Sequence, residues 1–197
     1  MTFKLGLTGS IGMGKTTTAR MFAEAGCALW DADKAVHRLY SHGGQAVVPL
    51  NAIFPEAIRS GAVSREALKE IIRQNADALS QIEAIVHPLV AKDRSNFLRS
   101  SKAKITVFDV PLLFETGGDK SMDAVVCVTA PVEVQKERVL ARGTMTEIEF
   151  EKILAKQIPD AEKRMRSDYV IETISLDSAK TQVQHVIEDI TSRLENA

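Results

Sequence analysis

Residues 9–16 read GSIGMGKT and match G-x-x-x-x-G-K-[ST], residue types suited to holding phosphate. Glycines let successive backbone N–H groups curve around phosphate oxygens with no Cβ in the way. Lys15 adds a cation for the β- and γ-phosphates of a nucleotide, which makes it a catalytic candidate, and the Thr16 hydroxyl is a ligand for Mg²⁺. Chance produces the pattern in only about 1% of random chains of this length, so it predicts nucleotide binding. The predicted nucleotide-binding residues are Gly9, Ser10, Ile11, Gly12, Met13, Gly14, Lys15, Thr16 and Thr17.

Three carboxylates follow predicted strands: Asp31 and Asp33 after the second, and Asp109 at the end of the third. Ligands of open α/β sheets bind beyond the carboxyl ends of the strands, so we expect these side chains to face the phosphate site. One carboxylate there can take the proton of an attacking hydroxyl, and we assign this catalytic role to Asp33. With Thr16, either Asp31 or Asp109 organises Mg²⁺, and the sequence leaves this choice open. A helix N-cap is the alternative role for Asp31, and a turn residue is the alternative for Asp109.

Arg138 and Arg142 are four residues apart and therefore share one face of a predicted helix. Thr146 and Glu149 have the spacing of a capping box that opens another helix. Two helices with a short break are the expected build of a lid that brings arginines to a transferring phosphate. We assign catalytic roles to both arginines, and salt-bridged surface positions are the alternative.

Short apolar runs predict the strands that position these residues. They are rich in Val, Ile and Leu without strict alternation, which is typical of parallel strands buried on both faces. Helical patterns separate most of them, which predicts an α/β fold with a parallel sheet between helices. The runs are Phe3–Thr8, Cys27–Trp30, Ile105–Val110, Ala124–Thr129 and Tyr169–Ile171.

More than seventy residues without a convincing strand separate the second and third runs, so we expect a helical insertion at 34–102. Pro88 should interrupt its longest helix, because proline lacks an N–H donor and disfavours helical conformation at His87. A lone histidine is more often a structural hydrogen-bonding residue than a catalyst. The predicted nucleotide-binding core is then 1–33, 103–137 and 167–197, and the predicted lid is 138–166.

Composition excludes several classes of partner. Lys and Arg number 25 and Asp and Glu 26, so no bulk positive field exists to hold nucleic acid, and only 5% of residues are aromatic. The longest stretch without a charged residue, 39–55, contains Gly and Pro and is shorter than the roughly 20 apolar residues of a membrane span. The first residues lack the features of a signal peptide, and Cys27 and Cys127 are isolated in apolar surroundings. We therefore expect a cytoplasmic protein with no nucleic-acid, membrane or obligate protein partner.

Other classes of phosphate-loop protein fit less well. GTPases carry an Asn-Lys-x-Asp motif for guanine, which this chain lacks. Large ATPases and helicases need more residues than remain outside the predicted core. The size of the chain therefore favours a small-molecule or nucleotide kinase.

Taken together, the motifs resemble those of the dephospho-CoA kinase family. The resemblance runs in order through GLTGSIGMGKTT, WDAD ending at Asp33, HPLV starting at His87, DVPLLFE starting at Asp109, and the stretch from Arg138 to SDYVI at 167–171. It covers nearly the whole chain, and DAD and PLLFE are more specific than the phosphate loop. DAD and HPLV disfavour a nucleoside monophosphate kinase, and the strand-end carboxylates disfavour a nucleotide-dependent switch protein.

The resemblance implies a three-layer P-loop kinase fold with a five-stranded parallel sheet, a helical coenzyme-A-binding insertion and a helical lid. It implies transfer of the γ-phosphoryl group of ATP, with Mg²⁺, to the ribose 3′-hydroxyl of dephospho-CoA, the last step of coenzyme A synthesis. It also implies substrate contacts at Asp33, His87 and Leu113. The chain departs from the family at Glu172–Ser175, which lacks the Asn and Gly often found in the adenine loop, so no adenine contacts are assigned.

Overall fold

The computed structural model describes residues 2–196, in which the chain divides into two compact units. One unit comprises the residues up to Trp30 together with those from Ser101 onward, and the other is Asp31–Ser100. The strands are β1 (Phe3–Thr8), β2 (Ala28–Asp31), β3 (Ile58–Arg59), β4 (Ala62–Val63), β5 (Ile105–Asp109), β6 (Ala124–Thr129) and β7 (Tyr169–Glu172). The helices are α1 (Lys15–Glu24), α2 (Ala32–Tyr40), α3 (Val47–Ile53), α4 (Arg65–Gln74), α5 (Ala78–Ser100), α6 (Val132–Leu140), α7 (Glu147–Leu154), α8 (Asp160–Met165) and α9 (Leu176–Glu195).

The larger unit is built on a five-stranded parallel sheet with the order β2-β5-β1-β6-β7. β1 lies between β5 and β6 and pairs in parallel with both, and β6 pairs in parallel with β7. Every predicted strand of this sheet is confirmed to within one residue at each end. The predicted α/β class is therefore correct, and its cause is the continuous burial of the central strands.

Helices α1 and α9 cover the sheet and contact each other. Phe22 of α1 and Ile190 of α9 are completely buried in the same apolar cluster as the strand residues Leu7 and Val126. Along α9, a stripe of apolar side chains is buried, formed by Ala179, Val183, Val186 and Ile190, whereas Leu194 in the last turn is 37% exposed. The stripe therefore loses contact with the core in the last turn of the helix.

Helix α8 also contacts the sheet, through β6. Its first residue, Asp160, accepts a hydrogen bond from the Thr129 hydroxyl at 2.9 Å. The predicted lid, 138–166, thus includes a helix that is attached to a central strand. The lid boundaries remain a prediction.

The smaller unit has its own apolar core, in which Leu39, Leu50 and Ile82 are buried together. Helix α2 packs against α5, and Arg38 bonds Asp93 at 2.7 Å across that pair. A short antiparallel hairpin, β3 and β4, interrupts the helices and was not predicted. Strands of two residues are too short to show a periodic pattern, and their turn is set locally by the positive φ of Ser60 and Gly61.

The predicted interruption at Pro88 is wrong, because α5 continues through this residue as one helix of 23 residues. The proline removes a single backbone donor from a long helix. Ile82 and Val86, on the preceding turns, are buried in the core of the smaller unit. Tertiary packing therefore compensates for the local preference of proline.

The two cysteines are free thiols. Burial raises the pKa of Cys127 to about 12 and that of Cys27 to about 11, so both stay protonated near neutral pH and are poor nucleophiles. Among the helices of residues 2–196, none combines the length and the apolar character that a membrane span requires. The predicted cytoplasmic location stays a prediction.

Candidate active site

The loop between β1 and α1 depends on two glycines. Gly12 has a φ of +80° and Gly14 a φ of +90°, values that L side chains rarely adopt. A Cβ on Gly12 would lie 2.5 Å from Cγ2 of Val139, and one on Gly14 would lie 3.0 Å from Oγ1 of Thr173. Backbone conformation and close packing therefore both require glycine, as the loop motif predicts.

Helix α1 offers an anion-binding end. The N–H groups of Thr17 and Thr18 bond the carbonyl of Gly14, both at 3.1 Å. The N–H groups of Lys15 and Thr16 have no intrahelical acceptor, because they open the helix. No side chain caps this end, and the first turn carries no acidic residue. The helix dipole therefore adds to these donors, an arrangement suited to phosphate.

Lys15 and Asp109 form an ion pair at the base of this loop. Both side chains are largely buried, with exposed fractions of 15% and 6%. The parallel register pairs Leu7 of β1 with Asp109, which brings the carboxylate beside the chain as it leaves β1. The structure thus brings together two of the residues predicted from separate motifs.

Polar side chains from distant segments hold the loop. Gln135 donates from Nε2 to the Ile11 carbonyl at 2.7 Å, and the Ile11 N–H donates to Oε1 of Gln157 at 3.3 Å. The Thr173 hydroxyl donates to the Met13 carbonyl at 2.8 Å. These glutamines and Thr173 were not predicted as site residues. The sequence contains one signal for Gln135. This residue lies four positions before Val139, so both share the buried face of α6.

The two predicted arginines have different surroundings. Arg142 is exposed and lines the cleft along residues 9–17 together with Gln157 and Pro111. Arg138 donates from Nη1 to the Thr173 hydroxyl at 2.9 Å and from Nη2 to the Thr173 carbonyl at 2.5 Å. Arg138 is therefore bound to the segment after β7, whereas Arg142 faces the phosphate loop.

The predicted capping box at the start of α7 is confirmed. The Thr146 hydroxyl accepts from the Glu149 N–H at 3.3 Å, and the Glu149 carboxylate accepts from the Thr146 N–H at 2.7 Å. The break between α6 and α7 that the lid hypothesis needs is therefore present. Motion of this segment remains a prediction.

A second pocket continues from the phosphate loop towards α9. Gly12 and Thr17 line it on the side of the loop, and Arg138, Thr173 and Leu176 line it on the other side. The segment at 172–175, which departs from the family pattern, thus forms part of a pocket next to the loop.

Asp31, Asp33 and His87 belong to the smaller unit. Asp31 is the N-cap of α2, since its Oδ1 accepts from the Lys34 N–H at 2.9 Å. Asp33 lies in the first turn of the same helix and is exposed, a favourable place for an acidic residue. His87 is exposed on α5.

Leu113 belongs to the larger unit and is only 1% exposed, in a cluster with Phe114 and Val125. The side chain is therefore part of the core. A substrate contact at Leu113 remains a prediction. Because the side chain is buried, the backbone of Leu113 is the part that would make this contact.

Within residues 2–196, no group of three or more His, Cys, Asp or Glu side chains is placed to hold a metal ion. Mg²⁺ in nucleotide sites needs fewer, because it keeps several waters and binds through one or two protein oxygens and the substrate phosphates. The Thr16 hydroxyl, in the first turn of α1, and the Asp109 carboxylate, beside Lys15, are oxygen donors of this kind. They fit the ion that the fold family implies.

Comparison with known proteins agrees with this geometry. The family model for dephospho-CoA kinase matches residues 3–177. A dephospho-CoA kinase from Ruegeria pomeroyi is 64% identical over 190 residues, which cover 96% of each chain. The chain belongs to the dephospho-CoA kinase family. The resemblance seen in the sequence motifs is confirmed, and with it the predicted class of enzyme.

Solved structures extend the comparison to the fold. A protein from Thermus thermophilus superposes with a TM-score of 0.84 at 28% identity, over 98% of each chain. A dephospho-CoA kinase from Campylobacter jejuni gives a TM-score of 0.73 at 24% identity, again over 98% of each chain. The P-loop kinase fold that the family resemblance implied is therefore confirmed.

Proposed function

We propose that this chain transfers the γ-phosphoryl group of ATP to the 3′-hydroxyl of dephospho-CoA and so forms coenzyme A and ADP. Family membership along nearly the whole chain carries the proposal. The uncapped N-terminus of α1 and the Lys15–Asp109 pair support it, because they make a phosphate site of the type that such a transfer needs.

The loop at 9–17 binds the ATP phosphates through backbone N–H groups, and Lys15 compensates their charge. Thr16 and Asp109 hold Mg²⁺, which when bound neutralises charge on the β- and γ-phosphates. Asp109 is preferred to Asp31 for this role, because it lies beside Lys15 whereas Asp31 serves as a helix N-cap. We place the nucleoside in the pocket lined by Arg138 and Thr173, which is continuous with Gly12 of the loop.

The helical segment 34–102 holds dephospho-CoA, and His87 in this segment contacts the substrate. The backbone of Leu113, which lies outside the segment, makes a further contact with it. Asp33 accepts the proton of the 3′-hydroxyl. The hydroxyl oxygen forms a bond to the γ-phosphorus, and the bond between the γ-phosphorus and the β-phosphate oxygen breaks. The transition state is loose, so positioning and late proton acceptance are sufficient. Arg142, on the lid 138–166, stabilises the charge on the phosphoryl group in transfer.

Steady-state assays with matched acceptors test the proposed function. The purified protein with ATP and Mg²⁺ should phosphorylate dephospho-CoA, and the product should carry its new phosphate on the ribose 3′-oxygen. AMP, CMP and simple sugars at the same concentration should give negligible turnover. Comparable turnover of AMP or CMP, or none of dephospho-CoA, would contradict the assignment.

Replacing Arg142 with alanine should reduce turnover more than it weakens binding of dephospho-CoA. Arginine contacts to a transferring phosphoryl group contribute up to about 10³–10⁵ in rate in related enzymes, and Arg142 is exposed beside the loop. Steady-state kinetics with both substrates would measure the effect. Arg193→Ala, an exposed change on α9, is the control. A raised Michaelis constant with unchanged turnover would limit Arg142 to ground-state binding.

A further inference from the structure

A buried ion pair lies in the larger unit, apart from the groups that the proposed transfer uses. The Lys163 side chain is completely buried, and its Nζ lies 2.8 Å from Oε1 of Glu115. Burying a lysine is costly unless a charged partner compensates it. Burial raises the pKa of Glu115, but the adjacent Lys163 ammonium group and the hydrogen bonds from backbone N–H groups outweigh this effect and leave the pKa below its usual range. Glu115 is therefore ionised at neutral pH.

The same carboxylate holds a second segment. Oε1 of Glu115 also accepts the backbone N–H of Ile158 at 3.0 Å. Ile158 packs against the cluster of Leu113, Phe114 and Val125. The chain at 157–158 is thus attached to the segment that follows β5 by a hydrogen bond and by apolar contact.

Gln157, the next residue, reaches the phosphate loop. Its Oε1 accepts the Ile11 N–H at 3.3 Å, while Gln135 donates to the Ile11 carbonyl at 2.7 Å. Both polar groups of Ile11 are therefore held by side chains. Ile11 lies between Ser10 and Gly12, two of the residues predicted to bind phosphate.

We propose that Glu115 and Gln157 are positioning residues of the phosphate loop. Lys163 compensates the charge of the buried Glu115 carboxylate, Glu115 fixes the backbone at Ile158, and Gln157 then holds Ile11 from that fixed point. Neither residue touches a reacting atom in this scheme. Its kinetic consequence rests on the proposed function, whereas its structural consequence does not.

The first test replaces Gln157 with methionine, which keeps the length of the side chain and removes the acceptor. Residue-resolved amide exchange in the ligand-free protein should be up to about tenfold faster at Ile11, the size of effect that one hydrogen bond supplies. The Michaelis constant for ATP should rise by a similar factor, while that for dephospho-CoA stays constant. Lys156→Met, at the exposed neighbouring residue, is the matched control. Unchanged exchange at Ile11 would overturn the role of Gln157.

The second test compares two double variants that both lack the ion pair. Glu115→Gln with Lys163→Met keeps an oxygen for the Ile158 N–H, whereas Glu115→Met with Lys163→Met removes it. The variant with Glu115→Gln should show nearly wild-type amide exchange at Ile11 and nearly wild-type binding of ATP. In the variant with Glu115→Met, exchange at Ile11 should be faster and ATP binding weaker, as in Gln157→Met. Equal shifts in both, or loss of the folded state in both, would overturn the role of Glu115.

The readouts separate this proposal from the proposed function. Exchange at Ile11 is measured without substrates and reports on the loop whichever acceptor the enzyme uses. A wild-type protein that left dephospho-CoA unmodified would contradict the proposed function and leave the exchange results to decide the positioning role.

Discussion

Replacing Lys15 with alanine is expected to abolish nearly all turnover, with less than about a tenth of the wild-type rate remaining. A tenfold or greater loss of rate corresponds to at least about 1.4 kcal/mol of transition-state stabilisation. The physical reason is that backbone dipoles at the start of α1 cannot by themselves match the charge that Lys15 brings to the phosphates. Steady-state turnover of dephospho-CoA at saturating ATP is the measurement.

The single change also leaves the largely buried Asp109 carboxylate without its ammonium partner. Loss of one member of a buried ion pair lowers stability. A second variant, Lys15→Ala with Asp109→Asn, removes that carboxylate charge as well. It should recover thermal stability, measured as Tm, without recovering turnover. Turnover above a tenth of the wild-type value in the single variant would contradict the role of the phosphate loop.

Replacing Asp33 with asparagine is expected to lower turnover by at least about 10²-fold, since removal of a positioned base typically costs about 10²–10⁴ in rate. Asparagine keeps the size and the hydrogen-bonding capacity of the side chain but cannot take the proton of the 3′-hydroxyl. The exposed position of Asp33 in the first turn of α2 makes a large loss of stability unexpected. ATP binding should be largely retained, which titration calorimetry can show.

Asp31→Asn is the matched control, because asparagine is as good an N-cap as aspartate. It should preserve α2 and reduce turnover far less, because Asp31 serves as a helix N-cap. If Asp31→Asn lowered turnover by the large factor and Asp33→Asn by the small one, the base would have been assigned to the wrong carboxylate.

The parts of the fold that the sequence predicted are those with local causes. The central strands are buried on both faces, so each appears as a continuous apolar run, and their ends agree with prediction to within one residue. The box of Thr146 and Glu149 is likewise a contact over three residues. One prediction failed because the deciding contacts are not local, and one element was not predicted because it is too short. Tertiary packing keeps α5 helical at Pro88, and β3 and β4 are too short to carry a pattern.

The phosphate loop could be predicted from the sequence, because the positive φ of its glycines and the start of α1 at Lys15 are local features that adjacent residues specify. The sequence also indicated the enzyme family, through motifs spread along the chain. Which side chains hold the loop in shape depends on tertiary contacts. Gln135 and Gln157 reach Ile11 across sequence separations of 124 and 146 residues. Contacts over such distances depend on how the sheet orders its strands and on which faces of the helices are buried, and no local pattern encodes them.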